Sequence, residues 1–218
     1  QLSLFFILSE EIEENKFKIS CSQALKEKLH ELGPFNKKDY IIIRGFLEPY
    51  IRRRKRQVFL KAFGQLCVDC YGPIPSKEVK ELAPAWSWLG EVKTTELNKK
   101  ISSYQIMLNV QSDTLKGSHE RVLRGLVGEC NVITEYSELY KSFNLSDVRF
   151  WDGSSCKEDA KRLFEESLKN FPCSYKQGYL RKKVLKKFTW NYRAQELIEF
   201  VQKSPTFLAK NLGYSNVL

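Results

Sequence analysis

Short apolar runs alternate with amphipathic segments of helix length along most of this chain. The central strand-like runs are LCVDCYG (66–72), WSWLGEV (86–92), YQIMLNV (104–110), NVITEY (131–136) and VRFWD (148–152). Between and after them, apolar residues recur at helical spacing, as in CKEDAKRLFEESLKNF (156–171). This β-α-β-α order favours a parallel sheet that is covered by helices on both faces. We therefore predict an α/β fold, a doubly wound parallel sheet with extra C-terminal helices.

Two further strands are predicted near the N-terminus. QLSLFFIL (1–8) and YIIIRG (40–45) are continuous apolar runs, and the second is of the type found in buried strands. Between them, SQALKEKLHELG (22–33) has helical periodicity and ends on a glycine, which is a typical C-terminal stop signal. RRRKRQVFLKAF (52–63) is predicted as the helix that follows the second strand.

The chain is strongly basic, with a formal net charge of +10 over 218 residues. This balance points to an anionic partner, such as nucleic acid, an acidic membrane surface or a phosphorylated small molecule, although solvated lysines alone would also produce it. Six cysteines lie mostly in or beside apolar segments, which indicates reduced thiols and a cytoplasmic setting. Because the chain has two histidines and a single close cysteine pair, Cys67 and Cys70, no metal site is predicted.

Membrane and targeting signals are weak. No run reaches the roughly 18 apolar residues of a transmembrane helix, and QLSLFFIL is too short for a signal peptide. The chain begins with glutamine, so we expect a piece of a longer protein. Between Glu166 and Glu196 there are eight basic residues and no acidic residue. This stretch is predicted either as a surface for acidic lipid or nucleic acid, or as solvated helix faces.

Ligands of doubly wound sheets bind outside the carboxyl ends of the strands. The loop after YIIIR would bring Gly45 and the basic run Arg52–Arg56 to that edge. Arginine is well suited to phosphate oxygens. However, five consecutive helical residues point all round the helix axis, so at most two can face one ligand. The alternative interpretation of the run is a basic face in contact with solvent.

The loop after YQIMLNV, with the sequence QSDTLKGSHE, is the second candidate. Gly117 permits close backbone approach, and the free N–H groups of the following helix start would face an anion. Lys116 adds a positive charge. Glu120 can accept hydrogen bonds from sugar hydroxyls, or it can be an acid that favours the helix start and pairs with Arg124. Neither GxGxxG nor GxxxxGK[ST] occurs in the chain.

Four passages resemble the C-terminal, donor-binding half of GT-B-fold glycosyltransferases of the group-1 kind, including the branch related to spore-maturation glycosyltransferases. They are ISCSQALKEKLHELG with YIIIRGF, YGPIP with WSWLGEVKTTELNKKISSYQIMLNV, HERVLRGLVGECNVITEYS, and KKFTWNYRAQELIEFVQ. Together they cover about residues 18 to 203 in the family's order. The resemblance implies the end of an N-terminal lobe or a linker strand and helix (1–38), a nucleotide-sugar-binding Rossmann-like domain (39–205) and a C-terminal tail (206–218).

The resemblance also implies a nucleotide-sugar donor and neither a metal nor a cofactor. By position, Glu120 is similar to the glutamate that holds the donor ribose, and Ser118 and His119 would face the diphosphate or the sugar. The basic run after Gly45 would neutralise the diphosphate, and the loop at Gly90 would contact the base. Ser112 stands where the family has an earlier acid, one residue before Asp113. The predicted donor-binding residues are Gly45, Arg52, Arg53, Lys55, Gly90, Glu91, Val92, Asp113, Lys116, Gly117, Ser118, His119 and Glu120.

Three functions follow from the sequence. The first is a metal-independent glycosyltransferase, or its donor-binding domain, which transfers a sugar to a glycan, lipid or protein acceptor. The second is a glycosyltransferase-like scaffold without activity. The third is a basic domain that binds nucleic acid or a membrane surface. We favour the first, in the cytoplasm and with peripheral membrane contact through the basic C-terminal helices, and we do not favour nucleic acid as the partner.

Overall fold

The computed structural model describes residues 2–15, 17–32, 37–111, 118–143, 148–169 and 178–203. In these ranges the chain forms ten helices and five short strands, so it is a mixed α/β protein, as the sequence predicts. The chain divides into two compact units, Gln1–Pro172 and Cys173–Leu218. The domain boundaries implied by the resemblance, after residues 38 and 205, stay predictions.

Three helices begin the first unit and share one apolar core. They are α1 (Leu2–Glu14), α2 (Cys21–Leu32) and the long α3 (Lys37–Phe63). The buried members of this core are Leu4, Leu8, Ile12, Phe17, Cys21, Ala24, Leu25, Ile43, Leu47 and Ile51. The prediction of helix α2 is confirmed.

Two predicted strands are wrong, because residues 2–8 of QLSLFFIL lie in α1 and YIIIRG lies in α3. In α1 the buried residues Leu4, Leu8 and Ile12 are four apart, and this spacing continues beyond the predicted strand. In YIIIRG, Ile41 and Ile42 are exposed on the outside of a helix. A short apolar run fits a buried strand or a helix equally well, and the helical spacing of the residues around it decides between them.

Helix α3 belongs to two cores. Its buried residues form one stripe: Ile43, Leu47, Ile51, Lys55, Phe59, Ala62 and Phe63. The N-terminal half of the stripe packs against α1 and α2, and the C-terminal half packs against residues of the sheet such as Ile133 and Trp151. Pro49 lies inside the helix and has no N–H to donate to the carbonyl of Gly45, one turn earlier. Lys55 is the charged residue of the stripe, at the junction of the two cores.

Five parallel strands follow, in two sheets. β1 (Val68–Cys70) pairs with β2 (Trp86–Trp88), and α4 (Lys77–Leu82) connects them. β3 (Ile106–Leu108), β4 (Asn131–Glu135) and β5 (Val148–Trp151) form a sheet in that order. The remaining helices of this unit are α5 (Thr94–Ile101), α6 (Glu120–Val127), α7 (Glu138–Phe143) and α8 (Lys157–Lys169). These five strand predictions and their parallel pairing are confirmed, but the strands lie in two small sheets and not in the single sheet predicted.

Helices cover both faces of the three-stranded sheet. Ile133 packs with Phe59 of α3 and Ala160 of α8 in the second core. The neighbouring Val132 points to the other face, towards α6, since adjacent side chains of a strand alternate. Gly125 brings α6 close to the sheet there, because a Cβ at this position would lie 3.0 Å from Val132 Cγ2. This arrangement places the start of α6 at the carboxyl edge of β3 and β4.

The second unit contains α9 (Tyr179–Phe188) and α10 (Trp190–Lys203), which contact each other. Both were predicted as helices. Exposed basic side chains of α9 include Arg181, Lys182, Lys186 and Lys187. Among the described residues, no helix combines the length and the apolar character that a membrane crossing needs.

Candidate functional site

A buried ion pair lies at the carboxyl edge of β4. Lys55 Nζ is 3.3 Å from Glu135 Oε1, and the two side chains are only 8% and 13% exposed. The backbone N–H of Gln111 donates to Glu135 Oε2 at 2.6 Å, and Lys55 Nζ donates to the Gln111 carbonyl at 3.4 Å. Lys55 also lies 5.7 Å from the centre of the Phe17 ring. Because buried charges are stable only when they are paired, these contacts tie α3 to the sheet edge.

A chain of hydrogen bonds extends from this pair to the start of α6. Tyr140 OH donates to Gln111 Oε1 at 3.2 Å, and Ser118 Oγ is 2.8 Å from Tyr140 OH. Burial raises the pKa of Tyr140 to about 12, so the phenol keeps its proton at neutral pH. Tyr140 of α7 therefore links Ser118 to the edge of the sheet. Nearby, Asn109, which directly follows β3, donates through Nδ2 to Thr134 Oγ1 of β4 at 2.9 Å.

His119 is the N-cap of α6. Its Nδ1 accepts hydrogen bonds from the backbone N–H of Arg121 at 3.3 Å and from Arg121 Nε at 3.2 Å. The Arg121 guanidinium also donates to the carbonyl of Val110 at 3.5 Å. One of the free N–H groups of the helix start is therefore satisfied by the protein itself.

Cationic side chains concentrate around this cap. The pKa of His119 lies below its ordinary value, first because the ring is partly buried and then because of the positive charge of Arg121. The negative charge of Glu120 opposes this shift, and the positive charges of Arg124 and Arg56 add to it. Burial removes water from the guanidinium of Arg121 and lowers its pKa, and the positive charge of Arg56 lowers this pKa further. The Arg121 side chain still keeps part of its surface in solvent. We refer to Arg56, His119, Arg121 and Arg124 as the Arg121 cluster.

The carboxyl end of β1 reaches the same cluster. Burial raises the pKa of Cys70, the last residue of β1, and the nearby charge of Arg121 opposes this rise. Glu135, at the end of β4, acts in turn to raise the pKa of Arg121. The charge of Arg121 therefore acts on groups at the ends of both β1 and β4.

Three predicted site residues come together in this region. Ser118 and His119 lie at the cap of α6, and Glu120 is the first residue of the helix. The Glu120 side chain is 67% exposed, and its Oε1 lies 3.4 Å from an Arg124 guanidinium nitrogen. This is the alternative predicted for Glu120, the ion pair with Arg124 across one helical turn. Asp113, Lys116 and Gly117, which were predicted as donor-binding residues, lie outside the described residues.

The basic run Arg52–Arg56 diverges, as expected for consecutive helical residues. Lys55 is buried against Glu135, and Arg54 holds Glu13 of α1 through two hydrogen bonds at 2.8 and 3.0 Å. Arg52 and Arg53 lie on the exposed side of α3. Gly45 lies inside α3 and not in a loop at a strand end, because the predicted strand before it is helical.

The predicted base-binding loop follows β2. Gly90 has a φ of +79°, which favours glycine, and its carbonyl accepts a hydrogen bond of 2.9 Å from the N–H of Gly72. Glu91 is exposed and Val92 is partly buried. Because β1 and β2 are parallel, this loop lies at the same edge of the small sheet as Cys70.

Sequence reasoning missed Arg121 and Glu135 as members of this edge and did not single out Arg56 within the basic run. A signal existed for Arg121, which follows the predicted site residue His119 by two residues. A weaker signal existed for Glu135, the last charged residue of the strand NVITEY. Nothing in the sequence separates Arg56 from its basic neighbours, because its position depends on how α3 packs.

Comparison with family models, curated proteins and solved structures found no match to this chain. Within the described ranges, no group of three or more His, Cys, Asp or Glu side chains could hold a metal ion. The chemistry of the edge must therefore be inferred from its own residues. Several guanidinium groups around a helix start, beside a buried polar network, form an arrangement that can bind an anion.

Proposed function

We propose that this chain is the donor-binding domain of a metal-independent glycosyltransferase and binds the diphosphate of a nucleotide sugar at the Arg121 cluster. The supporting observation is the position of Arg121 at the start of α6, where it donates to His119 and to the carbonyl of Val110 just after β3. Arg124 lies one turn further along α6, and the charge of Arg56 acts on both His119 and Arg121. Like charges held together repel one another, and a bound anion offsets this repulsion. A diphosphate has several oxygens that can accept paired N–H donors from arginine.

The roles of the residues follow from this placement. Arg121 and Arg56 would stabilise the negative charge that develops on the diphosphate as it leaves the sugar. Glu120 would exchange its ion pair with Arg124 for hydrogen bonds from the ribose hydroxyls, since its carboxylate is largely exposed. Ser118, fixed by Tyr140, would face the diphosphate or the sugar. The loop of Gly90, Glu91 and Val92 would contact the base.

The fold is consistent with this proposal. The parallel sheet of β3, β4 and β5 has helices on both faces, which supports an α/β ligand-binding domain. A doubly wound GT-B lobe and the nucleotide-sugar donor class both come from the resemblance of the sequence passages. The sugar would pass to a glycan, lipid or protein acceptor in the cytoplasm.

The proposal is tested by a thermal-shift screen of UDP, GDP, ADP and their sugars, followed by calorimetry with the best ligand. Arg121→Gln should weaken binding by roughly tenfold or more, because a charge-assisted hydrogen bond contributes about 1.5–3 kcal/mol. Arg162→Gln is the matched control, since Arg162 is an exposed arginine of α8 that pairs with Asp159. If no nucleoside diphosphate binds the wild-type chain, the proposal is wrong.

A glycosyltransferase-like domain that does not transfer sugar is the second candidate. The ion pair of Glu120 with Arg124 favours it, because this pair occupies the carboxylate that would hold the ribose. Glu120→Ala separates the two candidates. Donor binding predicts a loss of affinity for nucleoside diphosphates with no comparable loss for inorganic diphosphate. Unchanged affinity for every nucleoside diphosphate would favour the scaffold.

A further inference from the structure

A cleft of about 520 Å³ opens on the exposed side of α3, where Val79 of α4 also lines it. Its basic residues are Arg52, Arg53 and Arg56. The volume falls in the range of sites that hold small molecules, roughly 300–1,000 Å³. The cleft is therefore large enough for a ligand and not only for an ion.

Two arginines of the cleft have no carboxylate partner among the described residues. Arg52 forms an ion pair with Glu48, one turn earlier on α3. Neither Arg53 nor Arg56 has such a pair within the described ranges. They are three residues apart on one helix, so both guanidinium groups project from the same side. An anion between them would receive N–H donors from two sides.

The remaining lining is largely apolar. Pro49, Leu60 and Val79 contribute carbon surface to the cleft. Gln57 adds an amide, whose Oε1 accepts a hydrogen bond of 3.3 Å from Arg54 and whose NH₂ group can still donate. A purely ionic ligand would leave the apolar surface in water. A ligand with both a phosphate and an apolar group would use the whole cleft.

We propose that this cleft is a second binding site, for a phosphate monoester that carries an apolar group. Arg53 and Arg56 hold the phosphate oxygens, since each guanidinium can offer two parallel N–H donors. Leu60 and Val79 cover the apolar group. A soluble phosphorylated metabolite and the phosphate headgroup of a lipid share this chemistry.

The cleft site shares one residue with the donor site proposed above. Arg56 belongs to both, because it lines the cleft and also acts on His119 and Arg121. Arg53 lines the cleft and is not a member of the Arg121 cluster. Variants of Arg53 and Arg121 therefore distinguish the two sites.

The test is calorimetry of the full 218-residue chain with phenyl phosphate and with inorganic phosphate. The wild type should bind phenyl phosphate saturably, and Arg53→Gln should weaken this binding roughly tenfold or more. Val79→Ala should weaken phenyl phosphate more than inorganic phosphate, because it removes only apolar surface. Arg162→Gln is the control and should leave both affinities unchanged. Circular dichroism of each variant verifies that the fold is retained.

Three results would overturn the proposal: no saturable binding by the wild type, equal losses in Arg53→Gln and Arg162→Gln, or loss of phenyl phosphate binding in Arg121→Gln. The last result would mean a single site. Failure of the nucleoside diphosphates to bind, together with retained phenyl phosphate binding, would refute the donor proposal and leave the cleft site intact.

Vesicle flotation distinguishes the two sources of the phosphate. The chain is mixed with phosphatidylcholine vesicles that either contain or lack phosphatidic acid. Flotation that needs phosphatidic acid and is lost in Arg53→Gln supports a lipid headgroup, and phenyl phosphate binding without flotation supports a soluble metabolite. Salt-sensitive binding of RNA, without saturation by phenyl phosphate, would overturn the cleft site in favour of a nucleic-acid surface.

Discussion

Lys55 and Glu135 join the N-terminal helices to the sheet through a nearly buried ion pair of 3.3 Å. Lys55 occupies one position of an otherwise apolar stripe on α3, and Glu135 ends the central strand of the three-stranded sheet. The pair therefore fixes the long helix against the edge at which the Arg121 cluster lies. Four predictions on stability and reactivity follow from this and related contacts.

Lys55→Met should destabilise the chain by about 3 kcal/mol, because it leaves the Glu135 carboxylate buried without its cation. The double variant Lys55→Met with Glu135→Gln should cost less than Lys55→Met alone. Lys161→Met is the control, since Lys161 and Glu165 form an exposed pair of 3.9 Å on α8 and its loss should cost under about 1 kcal/mol. Urea denaturation measures all three, and equal costs for Lys55→Met and Lys161→Met would contradict the prediction.

The His119 cap should make stability depend on pH. The folded-state pKa of His119 lies below its ordinary value of 6.5, so the unfolded chain takes up the proton first as the pH falls. The cap's contribution is present above pH 6.5 and is lost as the pH falls towards the folded-state pKa. His119→Ala should therefore cost about 1 kcal/mol at pH 8 and less at pH 5.

His119→Asn is the matched variant for this prediction. Asparagine is a good N-cap that does not titrate, so this variant should keep the stability and lose the dependence on pH. The free energy of unfolding is measured across the pH range for all three proteins. A cost of His119→Ala that is the same at both pH values would argue against the cap.

Two glycines of the α3 region should respond to alanine in opposite ways. A Cβ at Gly64 would collide with the carbonyl oxygens of Leu60 and Leu82 and lie 2.8 Å from the Cα of Ala83. Gly64→Ala should therefore destabilise the chain by about 2 kcal/mol or more. Gly45 has nothing within 4 Å of such a Cβ, so Gly45→Ala should gain up to about 1 kcal/mol from helix propensity. Thermal unfolding of both variants checks this, and a stable Gly64→Ala would show that α4 can shift.

The thiols should differ strongly in reactivity. Burial raises the pKa of Cys130 to about 11, and its Sγ lies 3.1 Å from the carbonyl oxygens of both Ile101 and Tyr104, either of which can accept its one S–H. Cys67 is exposed. Iodoacetamide at pH 8 should modify Cys67 readily and Cys130 only after unfolding, as seen by peptide mass spectrometry. Modification of Cys130 at the same rate as Cys67 in the native chain would contradict the structure.

The sequence predicts the later half of the first unit well. Val122 and Leu126, four residues apart, fix the inner face of α6, and β4 follows as a buried apolar run. The N-terminal part is harder, because Tyr40–Ile43 is an apolar run of strand type inside a helix. The spacing of Ile43 and Leu47 is helical. It crosses the boundary at residue 45, where the predicted strand ends, so neither predicted segment contains the whole pattern.

The candidate site was predictable in part. Ser118 and His119 were found because they precede a clear helix. Lys55 was predicted to face a ligand, whereas it is buried against Glu135, because its environment depends on residues 80 positions away in the chain. For the same reason Arg121 was missed and Arg56 was not distinguished from the rest of the basic run, since tertiary packing brings them together.

Because α3 contributes to two cores, those cores should unfold in a single cooperative transition. Removal of α1 and α2 would expose Ile43, Leu47 and Ile51 of α3 to water. The first turns of α3 would then fray. The amide protons in the middle of α3 are accordingly expected to exchange only through global unfolding. The cleft at Arg53 would then lie on one of the slowest-exchanging segments of the chain, a rigid support for a small ligand.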